Sequence, residues 1–254
     1  MLEVVIVAGG EARRMGPWAP CPKPFLGIGP WDDKLQQGKG HSACYRALDN
    51  LSKVLRGTHI QKYEEVRYNV SVPRGPFDHD KHVPSGLPCG ILRDRIKSPL
   101  LGPLESLQSK YKKDWGIDGV ILHNGDDLIH EESVRLFIQA APVPATVQMG
   151  PQPIILLATN RIQRAQFGLI TAANTVDEKP ILAQGWIGAG LLYLPPWAWK
   201  FACSHDIQNV SVLINTVYNE LGRITQVVCS PHPWATIGNP EEYLAACQEG
   251  WLNA

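Results

Sequence analysis

Leu2-Glu3-Val4-Val5-Ile6-Val7-Ala8-Gly9-Gly10 is the stretch that decides the fold. Apart from Glu3 the run is continuously apolar and rich in β-branched residues. It lacks the alternation of a strand with one wet face, so it reads as a strand buried on both sides. It stops at paired glycines, and Glu11-Ala12-Arg13-Arg14-Met15-Gly16 and then Pro22-Lys23-Pro24 follow. Glycine has no side chain to keep a phosphate away from backbone N–H groups, and two arginines lie close behind. The pattern reads as a polyphosphate cradle built on Ala8, Gly9 and Gly10. It is not a Walker loop, because no G-K-[ST] follows, and it is not the dinucleotide fingerprint G-x-G-x-x-G. A tight turn carrying two solvated arginines is the plainer reading of the same residues.

Working outward, strand-like and helix-like runs alternate, as expected for an α/β fold with a mainly parallel central sheet. Helical spacing is found at 41–55, where Cys44, Leu48, Leu51 and Leu55 share a face, and at 104–115, 131–141, 210–221 and 241–248. Strands are expected at 66–72, 119–122, 145–159, 168–172, 187–194 and 227–229. Residues 73–99, rich in Pro, Gly, Asp and His, read as a long irregular connection. Pro195-Pro196-Trp197-Ala198-Trp199 reads as core or edge packing, and Asp78-His79-Asp80-Lys81-His82 as a solvated loop rather than a metal site. His123 reads as a packed strand histidine.

A chain of 254 residues is near the limit of one core, so residues 1–254 are expected to form one domain. Lys+Arg 24 against Asp+Glu 24 leaves no net field for nucleic acid or an anionic membrane, and neither is expected as a partner. With 44% hydrophobic and 19% charged residues, wholesale disorder is excluded. No apolar run approaches the roughly 18 residues of a membrane-spanning helix, and the first residues do not read as a signal peptide. Six cysteines scattered without C-x-x-C or zinc spacing read as reduced thiols of a cytoplasmic protein.

Ala8-Gly9-Gly10-x-Ala12-Arg13-Arg14-Met15 with Pro22-Lys23-Pro24-Phe25-Leu26 resembles the signature A-G-G-x-G-x-R-[LM]…P-K-P-[LM] of the sugar-1-phosphate nucleotidyltransferases. The form A-R-R-M-G is also similar to the related molybdenum cofactor guanylyltransferases. Later segments follow in the right order. Leu101-Gly102-Pro103-Leu104 resembles the nucleobase-side loop before a helix, and Val120 to Asp126 resembles the strand ending in N-G-D. Phe167-Gly168-Leu169 and Asp177-Glu178-Lys179-Pro180 resemble the Y-G-V…E-K-P pair, and Gly188-Ala189-Gly190-Leu191 resembles N-A-G-[IL]. Trp234 to Tyr243 resembles W-x-D-I-G-T-P-E-[DE]-Y.

The resemblance implies a Rossmann-like three-layer α/β/α domain, with a nucleotide-binding half at 1–140 and a sugar-phosphate-binding half at 141–254. It implies Mg2+-dependent transfer of NMP from an NTP to a sugar 1-phosphate, with release of pyrophosphate, by a chain compatible with a homo-oligomer. Arg14 would neutralise the pyrophosphate, Lys23 the α-phosphate and Lys179 the sugar phosphate. Asp126 would hold magnesium, Gly102 would line the nucleotide site, Gly168 would touch the sugar phosphate, and Glu178 would accept a sugar hydroxyl. Read as residues alone, Asp126 could instead cap the helix near Glu131, and Lys179 could sit in a solvated turn. Two departures bear on activity: Thr236 stands where the family has a second metal-binding aspartate, and Gly188 where it has asparagine. Asp127 could supply the missing carboxylate. The alternatives are a non-catalytic nucleotide- or sugar-nucleotide-binding regulator and an enzyme of the molybdenum cofactor guanylyltransferase kind. A glycosyltransferase ranks last, because Asn124 stands where a D-x-D motif begins.

Overall fold

A computed structural model describes residues 1–9, 15, 21–34, 37–57, 65–74, 83, 88–111, 116–141, 152–160, 169–177 and 185–249. In chain order they form β1 (Leu2–Val7), a 3-10 turn (Lys23–Phe25), β2 (Trp31–Asp32), β3 (Gln37–Gly38), α1 (Ala43–Gly57), β4 (Val66–Pro73) and β5 (Gly90–Asp94). Next come α2 (Leu101–Tyr111), β6 (Gly119–Asn124), β7 (Asp127–Ile129), α3 (Glu131–Ala140), β8 (Ile155–Asn160), β9 (Leu169–Ile170) and β10 (Val176–Asp177). The last are β11 (Trp186–Leu194), α4 (Pro196–Ser204), α5 (Val210–Leu221), β12 (Gln226–Ser230), β13 (Trp234–Thr236) and α6 (Pro240–Gln248).

The stretch that decides the fold lies in the middle of the sheet. β1 is flanked by β4 and β6, both parallel to it, with Leu2 opposite Val66 on one side and Gly119 on the other. β5 extends the parallel block beyond β4. On the other side β11 runs antiparallel to β6, β8 runs antiparallel to β11, and β12 pairs parallel with β8. The two faces of β1 feed two separate cores. Val4 and Ile6 pack with α1 and α3, whereas Val5 and Val7 pack with residues of α2, α4 and α5. A strand in that position needs apolar residues on both faces, which is why its sequence does not alternate. The result is a three-layer α/β/α sandwich with a mostly parallel central sheet.

Several elements differ from the sequence expectation, among them the short strands β2, β3, β7 and β13. β5 lies inside the stretch read as irregular, where flanking Pro and Gly mask a five-residue strand. Pro195-Pro196-Trp197-Ala198-Trp199 packs into a core through Ala198 and Trp199, as expected, but does so as a helix, α4, in which proline occupies the first turn, where its missing N–H costs nothing. Leu101-Gly102-Pro103-Leu104 is the first turn of α2 and not a loop before it. Among the described residues no helix is long and apolar enough to cross a membrane. All six cysteines are free.

α6 ties the C-terminal segment to the beginning of the chain. Its Asn239 cap accepts from the Glu242 N–H, and its fully buried Tyr243 donates a hydroxyl to the Gly27 carbonyl (2.6 Å) while accepting from the Gly38 N–H (2.8 Å). Tyr243→Phe leaves both backbone groups buried without a partner. We expect a loss of roughly 1–3 kcal/mol, read as a lower urea midpoint with an unchanged m-value.

Candidate active site

The carboxyl ends of parallel strands are where ligands of open α/β sheets bind, and the most informative side chains meet there. β1 runs out into Ala8, which is buried, and Gly9, which is exposed. The Ala8 N–H is held by the Ser71 carbonyl of β4 (2.8 Å). Beside it β6 turns through Gly125 and Asp126. The Gly125 N–H donates to the Val7 carbonyl (2.9 Å), and a Cβ on Gly125 would lie 3.1 Å from the Pro24 ring. This close approach joins the N-G-D and P-K-P segments: the glycine of one makes room for the second proline of the other.

Lys23, in the 3-10 turn, is buried, and its Nζ donates to the Gly238 carbonyl (2.9 Å). The same ammonium stands 4.0 Å from Asp126 Oδ2, whose side chain is one-third exposed. The Asp126 carbonyl accepts from the Ile237 N–H (2.9 Å), so the I-G-N-P segment braces both residues. Asp126 does not cap α3. That position belongs to His130, whose ring nitrogen accepts from the Glu132 N–H.

Asp127 points away from solvent. It faces Thr236 across the β7–β13 pair and is buried, with the Asn124 amide donating to it (3.0 Å). Burial first, and the Asp126 charge second, push its carboxyl well above the ordinary range, while the Asn124, Thr236 and Trp234 side chains pull it back in part. Gly190, in β11, sits directly on this carboxyl. Its φ is +71°, and a Cβ there would fall 1.8 Å from Asp127 Oδ2 and 2.7 Å from Asn124 Nδ2. Sequence reading found Asp127 but not its contacts, because they cross from β7 to β11 and β13, three segments far apart in the chain. His123 is a packed strand histidine, as expected. Its Nδ1–H donates to the Asn124 carbonyl (2.7 Å), and burial holds its pKa down at about 4.

Gly102 lies beside the same edge of the sheet. A Cβ on it would meet the Ile96 carbonyl at 2.6 Å and Asp94 Oδ2 at 3.2 Å, so α2 can start here only against a bare backbone. Ser98 receives the Leu101 N–H (2.9 Å) and acts as the cap. Asp94 is buried and takes hydroxyl donors from Ser71 and Ser106, yet burial raises its pKa to about 6. Between about pH 4 and 6 the folded chain holds this proton while the unfolded chain releases it. The group therefore contributes stability at low pH that is lost as pH rises through the window. Asp94→Asn keeps both serine bonds, one with its direction reversed, and removes the titration. The Tm difference, variant minus parent, should grow between pH 4 and 7 by the equivalent of about 3 kcal/mol.

Gly10, Arg14, Gly168, Glu178 and Lys179 lie outside the described residues, as does Asp78 to His82. Among the described residues no group of three or more His, Cys, Asp or Glu side chains could hold a metal ion. A protein cage for a cation is thus missing from this part of the chain. The donor set fits the other way magnesium binds, through one or two carboxylates together with substrate phosphates.

No protein-family model matches the chain, and no curated protein matches it in sequence. Its fold does match solved structures over nearly its whole length. A Bacillus anthracis protein assigned as a glucose-1-phosphate thymidylyltransferase, solved with sucrose, superposes with a TM-score of 0.69 at 14% identity, covering 99% of this chain and 96% of that one. HddC from Yersinia pseudotuberculosis superposes with a TM-score of 0.62 at 19% identity, covering 98% and 99%. The inositol-1-phosphate CTP transferase from T. maritima gives 0.63 at 17% identity, covering 98% and 96%. The chain therefore shares its fold with these three solved structures, two of which are described as a thymidylyltransferase and a CTP transferase.

Proposed function

We propose that the protein is a nucleotidyltransferase that transfers NMP from an NTP to a sugar 1-phosphate and releases pyrophosphate. The observation that carries this reading is the pairing of buried Lys23 with half-buried Asp126, just past the carboxyl end of β6 where Gly125 bonds the end of β1. In the reaction, an anionic phosphate oxygen of the acceptor attacks the α-phosphorus. The new O–P bond forms as the bond from the α-phosphorus to the bridging oxygen breaks, and the electron pair leaves with pyrophosphate. The nucleophile is already an anion, so no general base is needed. What the protein must supply is alignment and neutralisation of negative charge.

Lys23 answers the second need. Its ammonium is fixed by a carbonyl and screened from water, so it acts on phosphate oxygens at a lower dielectric than bulk solvent. Asp126 would hold magnesium, which when bound supplies Lewis-acid charge neutralisation at the phosphates. Arg14, Glu178 and Lys179 keep the roles that the motif resemblance gives them: pyrophosphate, sugar hydroxyl and sugar phosphate.

The test is pyrophosphate release by the purified protein with magnesium, across the four common NTPs and a panel of sugar 1-phosphates. Turnover of one pair supports the reading and names both substrates. The presence of Thr236, with Asp127 turned inward and buried, favours a second reading, a nucleotide-binding protein without turnover. Calorimetric nucleotide binding with silence across the whole grid would select it.

A further inference from the structure

Beside Asn124, two residues before Asp126, a cavity of about 160 Å³ opens between the sheet and α5. Its walls are Leu122, Leu156, Ile170, Val176, Leu192 and Val210. Only Asn124 and Ser211 bring polar side chains to it among the described lining residues, and both are engaged inside the protein. The Asn124 amide donates to Asp127 (3.0 Å), and the Ser211 hydroxyl donates to Asn209 Oδ1 (3.2 Å). The outer wall is fixed rather than adaptable: Asn215 of α5 accepts from the Val176 N–H (2.9 Å) and donates to the Val176 carbonyl (2.8 Å), holding β10 as a neighbouring strand would. Polar side chains thus reach the cavity only from Asn124 and Ser211 among its described lining residues, and Leu122, Leu156, Ile170, Val176, Leu192 and Val210 give it an aliphatic wall.

Resting on the nucleotidyltransferase reading, we propose that this cavity receives the organic part of the acceptor and that the acceptor is a deoxysugar 1-phosphate, lacking a hydroxyl where it meets Leu156, Ile170 and Val176. A hydroxyl seated against these residues would leave its hydrogen-bonding water without gaining a partner. An apolar pocket discriminates against one added hydroxyl by roughly 10- to 100-fold. Gly188 makes the assignment testable. Among the described residues a Cβ there meets the Leu156 methyl carbons alone within 4 Å, both at 3.9 Å, so a side chain at this position has room to enter the cavity.

The experiment measures kcat/KM for pyrophosphate release with α-D-glucose 1-phosphate and its single-deoxy counterparts, each with the four NTPs, alongside calorimetric titration of the same acceptors onto the nucleotide-loaded protein. At least one deoxy acceptor should exceed the parent sugar phosphate by 10-fold or more. Gly188→Asn, which brings an amide into the cavity, should shrink that preference at least several-fold. Equal or better turnover of the fully hydroxylated acceptor overturns the proposal, as does a deoxy preference untouched by Gly188→Asn. If no acceptor turns over, the nucleotidyltransferase reading fails and the titrations judge the cavity: tighter binding of a deoxy acceptor upholds its specificity, and binding of none overturns it.

Discussion

Asp126→Asn should lower pyrophosphate release by about 100-fold or more while leaving the fold intact. The amide keeps the size of the side chain and removes its charge, so what is lost is the interaction with a cation and with the ordered phosphates around it, a type of change that costs about 2.7–4 kcal/mol in activation free energy. The structural cost is small by comparison. The side chain is one-third exposed, its 4.0 Å separation from Lys23 is long for an ion pair, and the contact to Ile237 is made by the backbone carbonyl, which the substitution does not touch. A steady-state assay paired with a melting curve separates the two effects. Unchanged turnover removes Asp126 from the reaction, and a loss of activity matched by a Tm drop of many degrees would make the residue structural.

Gly190→Ala is expected to damage the protein by a different route. The left-handed backbone at this position costs an alanine roughly 1–2 kcal/mol, and its methyl would have to occupy the place of the Asp127 carboxyl oxygen. That oxygen is not the loose end of a surface side chain. It is buried between β6, β7 and β13, with Asn124 donating to it. Either β11 shifts or the carboxyl leaves its donors, and a total loss of about 3–5 kcal/mol follows. For a domain of this size that corresponds to a Tm lower by roughly 10 °C. Because the displaced groups adjoin Asp126, whatever protein still folds should also turn over poorly. A variant that melts with the parent would mean that Asp127 does not occupy the position described.

Much of this architecture is legible from periodicity. β1, α1, β4, β6, α3, α5 and α6 each present a run long enough for the pattern of apolar residues to declare which faces are buried. β5 and α4 are not legible in this way, one because five residues are framed by loop-forming ones, the other because a short run opening on two prolines and rich in tryptophan shows burial without showing a helical period. β7 and β13 have three residues each and exist as strands only because they pair with one another. The same contrast holds at the site. Lys23 and Asp126 stand in recognisable local motifs, but the contact of Gly190 with Asp127 and the lining of the acceptor cavity arise from segments brought together by the sheet, and no single stretch of sequence carries them.

The central place of β1 has a consequence for how the chain acquires its fold. The strand that organises both cores is made early, yet its two partners in the sheet begin at Val66 and Gly119. At ribosomal rates of roughly 5–20 residues per second, β1 is complete on the order of ten seconds before its second neighbour exists. Throughout that interval a nascent segment apolar on both faces lacks at least one of its flanking strands, which makes it the natural target for a chaperone that captures short aliphatic stretches. Parallel pairings over such separations also require large loops to close before they reward the chain, so refolding in vitro should be slow and prone to aggregation at high protein concentration.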